Sequence, residues 1–98
     1  MEKGTAHYPL WRIRELVAAR QVTLTRSARD GAAALGFDMA GLLEAIEALK
    51  PSDFYKSMTT HADHTVRQDV YRPLTRRGWV YLKLTVSAGL LVVTFKAR

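Results

Sequence analysis

Residues 53–81 have the sequence DFYKSMTTHADHTVRQDVYRPLTRRGWVY. Before this stretch the apolar residues recur with the spacing of about 3.6 that is typical of helices, and after Pro51 they alternate with the period of 2 that is typical of strands. The stretch is also basic and rich in aromatic rings, amides and hydroxyls. It therefore predicts a polar surface on an antiparallel sheet, which a final strand ending in Phe95-Lys96 completes.

The alternation predicts four strands in this half of the chain, at residues 54–58, 66–72, 79–86 and 90–96. A polar loop joins the first two at residues 59–65, and a turn at residues 74–78 joins the next two. In the first strand Phe54, Lys56 and Met58 are expected on one face, because successive side chains point to opposite faces.

In the last hairpin, only one register places the apolar side chains of both strands on the same face, where they can be buried. With Ala88-Gly89 as a two-residue turn, Tyr81 lies opposite Lys96 and Lys83 opposite Thr94. The other face is then apolar and pairs Leu82, Leu84 and Val86 with Phe95, Val93 and Leu91. A three-residue turn would mix the two faces and is disfavoured, since a slip of one residue turns every side chain over.

The preceding hairpin gives a second expectation. If Arg72 lies opposite Trp79, then Val70 lies opposite Tyr81, and Gln68 lies opposite Lys83 and diagonal to Tyr81. One face of the sheet is then polar, with Lys56, Gln68, Arg72, Tyr81, Lys83 and Lys96.

Three helices are predicted in the first half, at residues 9–20, 26–35 and 39–49, with an edge strand at residues 21–24. Thr25 and Asp38 are suited to cap the second and third helices. The apolar stripe of the third helix consists of Met39, Leu42, Leu43, Ile46 and Leu49. These helices can cover one face of the sheet, so the fold class is α+β, with residues 1–98 as a single domain.

Composition limits the partners. The chain has 98 residues, no cysteine and a net charge of +6, and by count residues 1–50 carry +1 and residues 51–98 carry +5. No apolar run is long enough to span a membrane, and residues 1–15 have no apolar segment like that of a signal peptide, so a cytoplasmic protein is expected. The basic half points to a polyanion such as nucleic acid, or to an acidic protein.

The polar face is suited to RNA, because lysines and arginines meet phosphates and aromatic rings stack on unpaired bases. Cleavage without a metal needs a base for the ribose 2′-OH, cations for the phosphorane and an acid for the leaving oxygen. Lysine and tyrosine side chains that perturb one another can fill these roles. A non-catalytic face that only binds RNA or an acidic protein has the same composition.

Two weaker signals compete with this interpretation. His61, Asp63 and His64 could form a metal clip, and His61 or His64 could supply a catalytic base. They lie in a polar loop without a further ligand motif, so solvated histidines are expected. Trp11 and Trp79 are expected to pack against the core or its edge, with base stacking by Trp79 left open.

The chain resembles the MqsR family of motility quorum-sensing regulator toxins from end to end. The resemblance is carried by MEK at the start, DFYKSMTT from position 53, DHT from 63, QDVYRP from 68, VYLK from 80 and FK at 95–96. It implies a RelE-like fold and the toxin of a type II toxin–antitoxin pair. Family members are metal-independent endoribonucleases that cut mRNA without the ribosome, typically at GCU, and no cofactor is expected.

The family's active-site residues match Lys56, Gln68, Tyr81 and Lys96. We expect the two lysines to hold the scissile phosphate, Tyr81 to transfer a proton and Gln68 to orient phosphate or ribose, although the lysines and the tyrosine could exchange the acid and base roles. The candidate substrate contacts are Arg72, Lys83 and Tyr55. The implied partner is an antitoxin with a zinc-binding N-terminal part and a DNA-binding C-terminal part.

Overall fold

The computed structural model describes residues 2–60 and 65–98, and its helices within those ranges are α1 (Leu10–Ala18), α2 (Arg26–Ala34) and α3 (Met39–Glu47). The two predicted caps are confirmed. The Thr25 side chain accepts a hydrogen bond from the Ala28 backbone N–H, and the Asp38 side chain accepts one from that of Gly41. A short 3-10 turn, Pro51–Asp53, then leads into the sheet.

The strands are β1 (Glu2–Lys3), β2 (Val22–Leu24), β3 (Phe54–Thr59), β4 (Arg67–Tyr71), β5 (Leu74–Thr75), β6 (Gly78–Ser87) and β7 (Gly89–Ala97). Their order in the sheet is β1-β3-β4-β6-β7-β2, and β5 pairs with β6. The β2–β7 pair is parallel and the other pairs are antiparallel. This confirms the α+β class, the mainly antiparallel sheet and the edge position of β2.

The three helices cover one face of the sheet. Their buried side chains form one cluster with apolar residues of β4, β6 and β7, among them Tyr71, Leu82 and Phe95. The predicted stripe of α3 is wrong at one position, because Met39 is 51% exposed. Met39 begins α3 directly after its cap, and the core is reached only from the next turn of the helix.

Helix α2 lies directly on β7, the strand that carries Lys96. A Cβ atom at Gly31 would lie 1.9 Å from the carbonyl oxygen of Phe95, so only glycine permits this approach. At the start of α2, the Thr25 hydroxyl donates to the Val93 carbonyl at 2.7 Å. These contacts hold the strand from the side opposite the candidate site.

The β6–β7 register is confirmed where the candidate site lies. Tyr81 is opposite Lys96, Leu82 opposite Phe95 and Lys83 opposite Thr94. The expectation is wrong nearer the turn, where Leu84 lies opposite Val92, Thr85 opposite Leu91 and Val86 opposite Leu90. The cause is an irregularity at Val93, where β7 has one extra residue.

The β4–β6 register differs from the expectation by two residues, because Val70 lies opposite Lys83 and not opposite Tyr81. The reason is that the predicted turn at residues 74–78 is itself a hairpin. Within it Leu74 pairs with Trp79 and Thr75 with Gly78, whose φ of 101° favours glycine. A shift of two residues keeps every side chain on its predicted face but changes its neighbours.

Strand β3 contains a second irregularity. Lys56 lies opposite Val70 and Met58 opposite Gln68, whereas Phe54 lies opposite Tyr71 and packs against the core. The expectation that Phe54 shares a face with Lys56 is therefore wrong. The register shifts between them, so Tyr55 is the extra residue that reverses the alternation.

The segment before α1 is attached to the sheet, which the sequence did not predict. Glu2 of β1 lies opposite Met58 of β3. The carboxylate of Asp69, which is fully buried, accepts hydrogen bonds from the backbone N–H groups of His7 and Tyr8 at 2.8 to 3.1 Å. None of the described helices is long and apolar enough to cross a membrane.

Candidate functional site

The candidate site lies on the sheet face turned away from the helices, which we call the open face. Cross-strand partners share a face, so one row across four strands consists of Lys56, Val70, Lys83 and Thr94. Val70 is fully buried but is not part of the cluster formed with the helices. The side chains of the open face therefore cover it themselves.

The next row contains Tyr81 and Lys96, about 7 Å further along β6 and β7. The Lys96 ammonium lies 5.5 Å from the centroid of the Tyr81 ring. Tyr81 is partly buried and Lys96 is exposed. The predicted pairing of these two side chains is thus confirmed, and it places a cation beside a phenol at the surface.

Lys56 has a partner that the sequence did not reveal. Its Nζ atom lies 2.6 Å from Oε2 of Glu2, and its side chain is 22% exposed. The hydrogen bond that Lys56 donates to the Glu2 carboxylate raises the pKa of Lys56 above its ordinary value, against the opposing effect of burial. A two-residue strand has no apolar periodicity, so only the isolated charge of Glu2 could have suggested this contact.

Lys83 lies between the other two lysines. Burial is the main reason that the pKa of Lys83 is lowered from its ordinary value, and the charges of Lys56 and Lys96 lower it further. The charges of Lys56 and Lys96 therefore reach Lys83 across the open face. Such a cluster of cations can neutralise a dianionic phosphorane, and its central lysine gives up a proton more readily than an isolated one.

Gln68 is the predicted site residue that the structure does not bring to Tyr81. It lies opposite Met58, one row beyond Lys83 and two rows from Tyr81. Two rows correspond to about 14 Å along the strands. The predicted position of Gln68, diagonal to Tyr81, is therefore wrong because of the two-residue shift. Gln68 remains on the open face.

Arg72 and Tyr55 form a stacked pair. The guanidinium carbon of Arg72 lies 3.7 Å from the centroid of the Tyr55 ring, and Tyr55 is 43% exposed. The backbone N–H of Arg72 donates to the Asp53 carbonyl at 2.8 Å. The pair offers a planar cation and an accessible ring, the two groups that bind unpaired nucleotides.

The competing signals have different outcomes. His61, Asp63 and His64 lie outside the described residues, and the described ranges contain no cluster of three side chains able to hold a metal. Trp11 and Trp79 are not core residues, because they are 65% and 52% exposed, which leaves packing at the edge of the core for both. Both side chains point to solvent, that of Trp11 from α1 and that of Trp79 from β6.

A cleft of about 540 Å³ lies elsewhere, between α3 and the β5–β6 hairpin. Gly41, Ala45, Pro73 and Arg76 are among its lining residues. The lining includes none of the four catalytic candidates. The candidate site is therefore separate from this cleft.

These features define a class of protein. It is a small α+β protein whose open sheet face is basic and carries lysines and tyrosines. Comparison with known proteins narrows the class. The model of the family described as "Motility quorum-sensing regulator, toxin of MqsA" matches residues 5–97. The chain is also 52% identical, over 98 residues and the full length of both proteins, to the mRNA interferase toxin MqsR of Escherichia coli (strain K12). The chain belongs to the MqsR toxin family.

Proposed function

We propose that this protein is the toxin of a type II toxin–antitoxin pair and an endoribonuclease that cuts mRNA on its open face. The identity of 52% with a full-length relative that is named an mRNA interferase toxin is the observation that carries this proposal. The geometry supports it independently, because the paired Tyr81 and Lys96 adjoin the row of Lys56 and Lys83. Residues 1–98 act as one toxin domain.

The proposed reaction is attack of the ribose 2′-OH on the adjacent phosphorus. The bond from phosphorus to the 5′-oxygen breaks, the 2′-proton leaves to a base, and the 5′-oxygen receives a proton from an acid. The products are a 2′,3′-cyclic phosphate and a 5′-OH. Lys56 and Lys96 hold the phosphate and stabilise the phosphorane, and Tyr81 transfers a proton. No metal ion takes part.

The remaining candidates contact the substrate around this centre. Lys83, between the two catalytic lysines, adds positive charge beneath the phosphate. Gln68, one row beyond Lys83, hydrogen-bonds a phosphate or ribose of a neighbouring nucleotide. Arg72 and Tyr55 bind a further nucleotide through their stacked pair.

The family resemblance supports three finer proposals. Cleavage occurs at GCU and does not require the ribosome. The partner is an antitoxin whose N-terminal part binds zinc and whose C-terminal part binds DNA, in keeping with the family's description as toxins of MqsA. The protein acts in the cytoplasm, where mRNA is translated.

The proposal is tested by incubating the purified protein with a long defined mRNA in excess chelator. We expect cleavage at GCU, and fragments whose ends are a 2′,3′-cyclic phosphate and a 5′-OH. Mapping both ends reports activity, mechanism and specificity in one experiment. Ends with a 3′-OH and a 5′-phosphate would contradict attack by the 2′-OH.

The alternative is a non-catalytic module that binds RNA or a protein through the same face. Intact RNA under conditions where circular dichroism shows folded protein would favour it over the nuclease. Loss of cutting in chelator, with recovery on adding zinc, would instead implicate His61 and His64.

A further inference from the structure

Trp79 extends the open face beyond the proposed active centre. It precedes Tyr81 by two residues on β6, so the alternation of the strand places its side chain on the same face, about 7 Å away. Trp79 also lines the cleft beside α3, so it stands where the open face meets that cleft. Val80, between them, is fully buried on the helix side. The backbone N–H of Arg98 donates to the Trp79 carbonyl at 3.1 Å, which continues the β6–β7 pairing by one residue.

The ring of Trp79 is not needed for the core. It is 52% exposed, and its cross-strand partner Leu74 is 61% exposed. The guanidinium carbon of Arg98 lies 5.0 Å from the ring centroid. An accessible apolar ring beside a planar cation offers the two groups that an anionic ligand with a flat apolar part can bind.

The same combination recurs along this side of the sheet. Arg72 lies 3.7 Å from the Tyr55 ring, Lys96 lies 5.5 Å from the Tyr81 ring, and Arg98 lies 5.0 Å from the Trp79 ring. Nucleotides in a single strand repeat one phosphate and one base. On a face that repeats one cation and one ring, each cation can contact a phosphate and each ring can stack on a base. Other RNA-binding sheets stack two or three bases in this way on neighbouring strands.

We propose that Trp79 and Arg98 form a nucleotide subsite beside the scissile position. The indole stacks on an unpaired base of the nucleotide adjoining the one that is cut, and the guanidinium contacts its phosphate. This subsite rests on the proposed function, because its ligand is the RNA held by Tyr81 and Lys96. The charge of +5 on residues 51–98 favours RNA over a neutral protein partner, and the exposed ring favours a nucleotide over an acidic peptide.

The chain contains two tryptophans, which makes a direct test available. In the Trp11→Phe variant Trp79 is the remaining tryptophan, and excitation at the red edge of its absorption avoids the four tyrosines. It is titrated with a GCU-containing oligoribonucleotide whose riboses are 2′-O-methylated, so that the 2′-oxygen cannot attack. We expect saturable quenching of Trp79 by the oligonucleotide and none by inorganic polyphosphate, which has the charge without the bases. The matched Trp79→Phe variant, which keeps Trp11, should show no quenching.

The affinity of each variant for the same oligonucleotide measures how much Trp79 and Arg98 contribute to binding. Trp79→Ala should weaken it roughly tenfold, as expected for loss of one stacked base, and Trp79→Phe should recover part of that affinity. Arg98→Ala should weaken binding and reduce the salt dependence by about one phosphate contact. Trp11→Ala should leave binding unchanged. Circular dichroism of each variant checks that the sheet is intact.

The outcomes separate this subsite from the nuclease reaction. Quenching of Trp79 by a protein that leaves RNA intact would overturn the reaction and keep the subsite. Normal cleavage of unmodified RNA, together with unquenched Trp79 and wild-type binding by Trp79→Ala, would overturn the subsite and keep the reaction. Quenching by poly-glutamate but not by RNA would overturn the nucleotide assignment in favour of an acidic peptide.

Discussion

The two faces of β6 use one backbone for different purposes. Val80, Leu82 and Leu84 point to the helices and are fully buried, whereas Tyr81 and Lys83, which alternate with them, lie on the open face and are only partly buried. Side chains on the covered face contribute stability through burial. Side chains on the open face need not satisfy the helices, so they can carry charge. Neighbouring residues should therefore differ in whether their loss harms the fold or the chemistry.

The sharpest form of this comparison is at Phe95 and Lys96, adjacent residues of β7. Phe95 is 1% exposed and packs edge-on against Phe37, with the ring centroids 5.2 Å apart. Phe95→Ala should lower the free energy of unfolding by about 3 to 5 kcal/mol, from lost burial and the cavity left behind. Urea denaturation measures this loss. A decrease below about 1 kcal/mol would contradict the position of Phe95 in the core.

Lys96→Ala should have the opposite profile. The cleavage rate should fall about 100- to 1000-fold, as when one preorganised charge at a phosphorane is removed. The free energy of unfolding should change by no more than about 0.5 kcal/mol, because Lys96 is exposed. Lys56→Ala and Tyr81→Phe should lower the cleavage rate in the same way. Wild-type rates in all three variants would refute the proposed centre.

A pH test examines the covered face. Burial, assisted by the charge of Asp69, raises the pKa of Tyr71 from 10.0 to about 12. Below pH 10 the phenol is protonated in both the folded and the unfolded state, and its contribution to stability is complete. Between pH 10 and 12 the unfolded state ionises first, so about 2 to 3 kcal/mol of stability is lost.

The Tyr71→Phe variant isolates this effect from the titration of other groups. Urea denaturation of both proteins at pH 9 and pH 11.5 should show a stability advantage of the wild type that shrinks at the higher pH. An unchanged difference between the two pH values would show that Tyr71 ionises normally in the folded protein.

The comparison of faces also explains which predictions from sequence succeeded. The β6–β7 register at Tyr81 and Lys96 could be predicted, because only one pairing buries an apolar face of both strands. The helices were predictable from their apolar spacing and their caps. The register and the apolar spacing both come from buried residues, whose burial restricts the sequence strongly, whereas the caps are recognised by the side chains of Thr25 and Asp38.

The wrong predictions concern strand positions at which the apolar pattern of the sequence does not indicate the register. The extra residues Tyr55 and Val93 change the alternation without altering the composition of their strands. The sequence of the β5–β6 hairpin predicts only a simple turn, and the extra pairing within the hairpin moves Gln68 by two positions relative to Tyr81. On the open face the neighbours of a side chain depend on such details, and the types of the residues do not reveal them.

Lys83 tests how strongly the charges of the open face are coupled. Its pKa is lowered mainly by burial and then by Lys56 and Lys96, so its positive charge is present below that pKa and is lost, as pH rises, earlier than the charge of an ordinary lysine. Lys83→Arg keeps the charge throughout. As pH rises from 8 towards the ordinary lysine value of 10.5, the affinity of the wild type for 2′-O-methylated RNA should fall more than that of Lys83→Arg. Lys50→Arg, at an exposed residue after α3, is the matched control, and parallel declines in wild type and Lys83→Arg would contradict the coupling.

The smallest effect is expected at Glu2, the carboxylate that β1 brings to Lys56. The carboxylate holds the Lys56 ammonium and also repels phosphate, so it competes with RNA for the same cation. Glu2→Gln should raise RNA affinity about two- to fivefold at low salt, with a smaller gain at high salt because exposed charges are screened. Glu15→Gln, which removes an exposed carboxylate paired with Arg12 on α1, should change nothing. If Glu2→Gln instead binds RNA normally but cuts it more slowly, Glu2 orients Lys56 for the reaction and does not compete with the substrate.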